Sequence, residues 1–342
     1  MKRLCTFGIV ALFSVGFLEA QGLSEDHLQL RDVASLLDRN VQQLRSGEIR
    51  YIVRHIPSER THKLLQNALR NPAKSVHEIA LLKALATRTV SNVRLCFQGN
   101  KVRYEFVEEE KDGQTTHKRS GIWGYNGRFA WMHGKQERTG SLLKDRGAIL
   151  YYDPRCPYLM LDPFTSWSTV LETLSRSPSA SRAVVRRVPE GLLLDIPSAT
   201  NEAYVQRLLV DPARGYLIKR SVSLAGKRIT GKDEAIVLTE VQPSVWFPTK
   251  QIAVIYDDTG AELERRVLEV TGFRFNISIP ENIFEPHFPP GTRVSDMVHD
   301  RVYVVTTPLW TFRRTLVALV FIGLLVAFWW WRYRRLFRRT TG

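Results

Sequence analysis

Across residues 92–109 the side chains alternate in character with a period of two, on either side of Gly99-Asn100. If that pair forms a turn, Val93, Leu95, Phe97, Val102, Tyr104 and Phe106 share one face. Arg94, Cys96, Gln98, Lys101, Arg103 and Glu105 share the other, with Arg94 opposite Glu105. A helix repeats every 3.6 residues and cannot sort them this way. The stretch reads as an antiparallel hairpin with one buried and one wet side, its register set by cross-strand pairs.

Units of the same kind fill most of the chain. The segment "GIWGYNGRFAWMHG", 121–134, turns about Asn126-Gly127, a strong hairpin signal. Ile122, Phe129 and Trp131 take one side, and Trp123, Tyr125 and Met132 the other. Both sides carry bulk. Either a further layer covers this part of the sheet, or one aromatic face lines a pocket. Further strands are expected within 183–196, 204–224, 235–240, 249–256 and 262–271. Helical spacing occurs in three places. Leu30, Val33, Leu37, Val41 and Leu44 line one face, an insert spans about 57–88, and Phe164, Trp167, Val170, Leu171 and Leu174 mark a later helix. The expected class is α+β, a curved antiparallel sheet carrying helices on one face.

The two ends of the chain suggest a membrane. Lys2 and Arg3 precede an apolar run that leads to Ala20, so residues 1–20 read as a secretory signal peptide. It is either cleaved after Ala20 or kept as an anchor. Residues 315–331 carry no charge, which is the lower limit for a helix crossing a hydrocarbon core of about 30 Å. Trp310 and Phe312 precede the run and Trp329, Trp330 and Trp331 end it, as an interfacial aromatic belt would. Five arginines from Arg332 to Arg339 then mark 332–342 as a basic cytoplasmic tail. The resulting expectation is a single-pass membrane protein, with a domain at 21–308 outside the cytoplasm, in a periplasm.

Charge argues against nucleic acid as a partner. The formal +15 falls to +7 once the two apolar ends and their arginines are set aside, leaving 40 basic against 33 acidic residues. Those 40 are interspersed with acidic residues rather than gathered in a stripe. Two cysteines remain beyond the leader, Cys96 and Cys156, so at most one disulfide can form. An oxidising compartment favours that bridge, but spacing says nothing of its geometry.

Catalytic motifs are sparse. Ser141 and Lys144 match a serine–lysine pattern in its minimal form, without the motifs that support it. His77, His117 and His133 form no HExxH pair, and Asp257-Asp258 has turn composition. His287 and His299-Asp300 have no evident partner, and no phosphate-cradling glycine loop occurs. The chain reads as no enzyme, with no catalytic residues, metal ligands or cofactor.

An amphipathic helix leading into "SGEIRYIV", the hairpins including "GIWGYNGRFAWMHG", then "DPARGYLIKR", "SVWFPTK" and "FNISIPENIFEPHFPPGTRVSD" give the chain a family likeness. It resembles the bacterial lipoprotein-sorting carriers of the Lol type and the related envelope stress sensors of the RseB type. The resemblance implies an unclosed β-barrel whose concave, apolar side is covered by helices and takes up acyl chains. It implies that the helices at 30–44 and 164–174 cover the concavity. Leu37, Val41, Trp123, Tyr125, Phe129, Trp131 and Trp167 become candidate lining residues. The function implied is a membrane-anchored, non-catalytic binder of lipid or lipidated protein, and its alternative a sensor or scaffold that binds an envelope protein. The anchor at 315–331 and the long insert at 57–88 depart from the family pattern, and the anchor replaces shuttling with lipid handling at one membrane.

Overall fold

The computed structural model describes residues 29–71, 73–112, 115–144, 182–198, 203–306 and 317–330. Its first half contributes β1 (Ser46–Pro57), β2 (Arg88–Gln98), β3 (Lys101–Asp112), β4 (Thr115–Tyr125), β5 (Ala130–Gly134) and β6 (Thr139–Leu143). The second half adds β7 (Val184–Val188), β8 (Gly191–Pro197), β9 (Tyr204–Asp211), β10 (Leu217–Ala225), β11 (Arg228–Gln242), β12 (Val245–Tyr256) and β13 (Glu262–Phe275). Two short strands, β14 (Arg293–Asp296) and β15 (Arg301–Val304), follow. All belong to one open sheet, ordered β15-β14-β6-β5-β4-β3-β2-β1-β13-β12-β11-β10-β9-β8-β7. The described pairs are antiparallel except β14 on β6, which is parallel.

Alternation in the sequence translates directly into register. Gln98 faces Lys101, Leu95 faces Tyr104, Val93 faces Phe106 and Arg94 faces Glu105. Gly99 sits at φ +57°, a left-handed turn conformation that costs glycine little. Val93, Leu95, Phe97 and Val102 pack with Leu44, Ile49, Tyr51, Val245, Phe247 and Leu268 in one apolar cluster. A second cluster forms where α1 (Leu30–Gln42) lays Leu30, Val33, Ala34 and Leu37 on Leu192, Leu194, Leu208 and Val210. Both clusters occupy the same side of the sheet. Leu208 opposes Ser221, which opposes Asp233, then Ala253, Arg266 and His55 in turn.

The other side is sealed differently. After β13 the chain turns back over β2–β6 as an irregular strap, 277–292, before forming β14 and β15. Ile279 and Phe284 cover Cys96, while Phe288 and Val294 cover Ile122, Trp131 and Leu142. The bulk on both sides of the second hairpin is thereby explained: a further layer covers the Ile122 and Trp131 side. The insert holds α2 (Glu59–Arg70) and α3 (Val76–Ala86). Ser58 and Ser75 cap them by accepting from the backbone N–H of Thr61 and Glu78, satisfying donors that have no partner inside the helix.

Two expectations need correction. The part of the apolar C-terminal run that lies among the described residues, 317–330, is helical. Among the described residues no helix is long and apolar enough to cross a membrane. The transmembrane helix at 315–331 is therefore not part of this fold, which is mostly sheet and unclosed. The single-pass placement falls with it, and with that the cytoplasmic placement of 332–342. Residues 1–20, the helix expected at 164–174 and the tail itself lie outside the described residues.

Candidate functional site

Side chains on the α1 side of the sheet change character along the strand order. At one end, next to the Leu95 cluster, three aromatic residues from β3 and β4 meet. Tyr104 stacks on Trp123 with centroids 5.3 Å apart and planes 21° from parallel. Phe106 meets Trp123 edge-on at 5.4 Å and Tyr104 at 5.9 Å. Register creates this group, since Tyr104 directly opposes Trp123 and Phe106 opposes Gly121. Gly121 matters here because an added Cβ would lie 2.8 Å from the Phe106 ring. All three rings are only partly buried. The row continues through Met132, Ser141 and Ser295 to Val302, with Met132 37% and Val302 60% exposed. The surface grades from a closed core to an accessible strip in which Met132 and Val302 flank the serine pair Ser141 and Ser295.

Between the aromatic group and the cluster under α1 lies a polar band. Ser221, Asp233, Gln251 and Glu264 occupy inward positions on β10 to β13 and are all buried. Glu264 Oε1 meets His55 Nε2 at 2.7 Å and is also bonded by Arg266 Nε. Burial pushes this carboxyl up, but the hydrogen bond from His55 and the charge of Arg266 outweigh it and hold it below the usual range. Tyr104 moves the other way, its phenol pushed up by burial to about 12 and so neutral. One face thus offers an aliphatic zone, a hydrogen-bonding zone and an aromatic zone in sequence. Such a face suits an amphipathic molecule.

The candidate lining residues divide among three places. Trp123 and Tyr125 share the α1 side, where Tyr125 packs against the Leu95 cluster. Leu37 is on that side too, fully buried beneath α1, and Val41 lies on the same helix. Trp131 and Phe129 pack on the opposite side under the strap. Trp167 lies outside the described residues, as does Cys156, the candidate partner of buried Cys96. Tyr104 and Phe106 join the site although their alternation alone read as core. The polar band was also legible in principle, as Asp233, Gln251 and Glu264 stand at apolar-parity positions of their strands.

The residues considered for chemistry do not converge. Ser141 points with Met132, while His133 lies on the opposite face and is buried against Phe288. Asp257 closes its hairpin, accepting from Thr259 N at 2.8 Å and Ala261 N at 3.0 Å; the Thr259 hydroxyl helps hold it at about 2. Asp296 ties His299 and Arg301 into the β14–β15 turn. Among the described residues no group of three or more His, Cys, Asp or Glu is placed to hold a metal ion.

No family model matches the chain, and no curated protein matches it. Among solved structures it is similar to a LolA superfamily protein from Nitrosomonas europaea, at 10% identity and a TM-score of 0.40, over 76% of this chain and 98% of that one. A DUF1329 family protein from Desulfovibrio piger gives 10% identity and 0.40, over 75% and 95%. A Vibrio parahaemolyticus domain described as an outer membrane lipoprotein-sorting protein gives 8% and 0.40, over 74% and 95%. Likeness at this level carries no argument about what the chain binds.

Proposed function

We propose that this chain is a non-catalytic binder of a lipid, or of a lipidated protein, that takes the acyl chain on the α1 side of the sheet. The observation that supports this reading is the partly exposed Tyr104–Phe106–Trp123 group, continuous with the closed core on one flank and the Met132 strip on the other. Ten methylenes buried there would supply about 8 kcal/mol, the scale of a micromolar complex before ordering costs. The test is organic extraction of the purified chain for mass spectrometry, paired with titration of a fluorescent fatty acid. Recovered lipid, or uptake that weakens several-fold in Trp123→Ala, supports the reading. Neither lipid nor uptake in repeated preparations sinks it.

A second reading is a sensor or scaffold that binds a protein partner. Its specific support is β15, the outer strand of an open sheet, with Val302 and Val304 60% and 55% exposed. An outer strand presents backbone groups on which another chain can add a strand. Crosslinking from position 302 to a stoichiometric partner, retained in Trp123→Ala, would favour this reading over the first.

A further inference from the structure

On the strap side of the sheet, β1 and β2 set Arg50 directly opposite Arg94. Like charges facing each other on neighbouring strands work against the sheet. A third cation joins them, because Arg274 on β13 reaches the same acceptor. That acceptor is Glu48, which is buried and takes Arg50 Nε at 2.9 Å, Arg94 Nε at 3.1 Å and Arg274 Nη2 at 2.6 Å. Glu105, the cross-strand partner of Arg94, is bonded by Arg103 Nε at 2.6 Å. Three guanidinium groups therefore share one carboxylate, an excess of two positive charges.

Much of each guanidinium stays available. The side chains of Arg50, Arg94 and Arg274 are 62%, 42% and 66% exposed. Each carries five N–H donors, and a single carboxylate cannot accept from all of them. There is also room for an acceptor. On its other flank Arg50 opposes Gly272, where an added Cβ would meet nothing within 4 Å. The result is an open cleft of about 300 Å³, bordered by Arg50, Arg94, Asn92, Glu105, Lys135 and Thr271.

We propose that this cleft binds a phosphate-class oxyanion between the Arg50 and Arg94 guanidiniums, with Lys135 at its rim. Planar forks of donors match tetrahedral oxyanions in geometry as well as charge. The bound anion would relieve the cross-strand repulsion that Glu48 offsets only in part. Arg50 and Tyr51 are consecutive on a strand and point to opposite faces, so the guanidiniums lie on the side away from the acyl-binding rings, although the cleft also borders Tyr51, Val93 and Phe106. The anion is either free phosphate or the phosphate of a lipid headgroup.

The experiment uses the full chain at constant ionic strength, so that general screening is held fixed. Inorganic phosphate is titrated against thermal stability, with chloride as the reference salt. In parallel, the chain is sedimented with phosphatidylcholine vesicles, with and without phosphatidylglycerol. Binding in either arm is expected to weaken at least about tenfold in the Arg50→Gln/Arg94→Gln double variant, and to persist in Lys118→Gln. A phosphate response assigns the site to the free anion, and a response to phosphatidylglycerol alone assigns it to a headgroup. Phenylglyoxal labelling of the unaltered chain covers a variant that fails to fold: phosphate or anionic vesicles should shield Arg50 and Arg94 from modification. No response in either arm, equal binding by the double variant, or labelling indifferent to both anions would overturn the proposal.

Discussion

Trp131 donates its indole N–H to the carbonyl of Phe284 at 3.0 Å, joining residues 153 positions apart in a buried contact. This bond fastens the strap to the sheet. Arg103 adds a second fastening through Nη1 to the carbonyl of Ile283 at 2.9 Å, and Asn126 Nδ2 a third to Glu285 at 3.0 Å. Trp131→Phe keeps most of the ring's volume and removes the donor, leaving a buried carbonyl unpaired. A loss of about 1–3 kcal/mol is expected in urea unfolding. Limited proteolysis should show faster cleavage within 277–292, and equal cleavage rates would contradict the fastening role.

Gly124 opposes Trp131 on the neighbouring strand, and an added Cβ there would lie 2.4 Å from the indole. The ring is fully buried and has nowhere to move. Gly124→Ala should therefore cost about 1–3 kcal/mol through overpacking. Gly226→Ala in the β10–β11 turn has open space, with nothing within 4 Å, but its φ of +62° carries a conformational cost alone. Calorimetry of the two variants separates steric crowding from backbone strain.

Leu37 is fully buried between α1 and strands β8 to β10. Leu37→Ala leaves a cavity and should destabilise by about 2–5 kcal/mol. The α1 helix rests on the sheet through the Leu30, Val33, Ala34 and Leu37 cluster, so hydrogen exchange should accelerate in residues 30–42 before it does in β1 to β4. Uniform acceleration would show that α1 and the sheet open together.

Glu48 contributes a pH dependence whose sign is fixed by its surroundings. Burial raises the carboxyl, but hydrogen bonds from Arg274, Arg94 and Arg50 prevail and lower it from the ordinary 4.5 to about 2. A carboxylate with a depressed folded value stabilises fully above the unfolded value, and that stability is lost as pH falls from about 4.5 towards 2. Allowing for screening at the half-exposed arginines, the loss is on the order of 2 kcal/mol. The stability difference between the wild type and Glu48→Gln should shrink over that window in acid titrations. A constant difference would refute the assignment.

Sequence periodicity carried the local part of this fold. The Val93–Phe106 and Arg94–Glu105 pairs were legible because a two-residue turn leaves the hairpin one register that buries its apolar face. The strap was not legible. Pro280, Pro286, Pro289 and Pro290 interrupt it, and a chain without ladder donors shows no period. The apolar run near the C-terminus misled for the converse reason. Composition counts uncharged residues, whereas crossing a bilayer requires a helix both long and apolar enough, and none occurs among the described residues. Of the site, Trp123 was visible as bulk on a sheet face. Its neighbours Tyr104 and Phe106 looked like ordinary core because exposure depends on what lies above a strand, which alternation does not encode.

The parallel pairing of β14 with β6 also orders events in time. Strand β6 ends at Leu143, and its partner begins at Arg293, about 150 residues later on the nascent chain. At ribosomal speeds that gap lasts on the order of 10–30 s. Throughout it, Trp131, Leu142 and Cys96 await their cover, so an unfinished chain presents a hydrophobic surface that the completed one hides. A product truncated before the strap would carry that surface permanently and be marked for aggregation or degradation. The last part of the domain to be synthesised is thus the part that tells a finished molecule from a broken one.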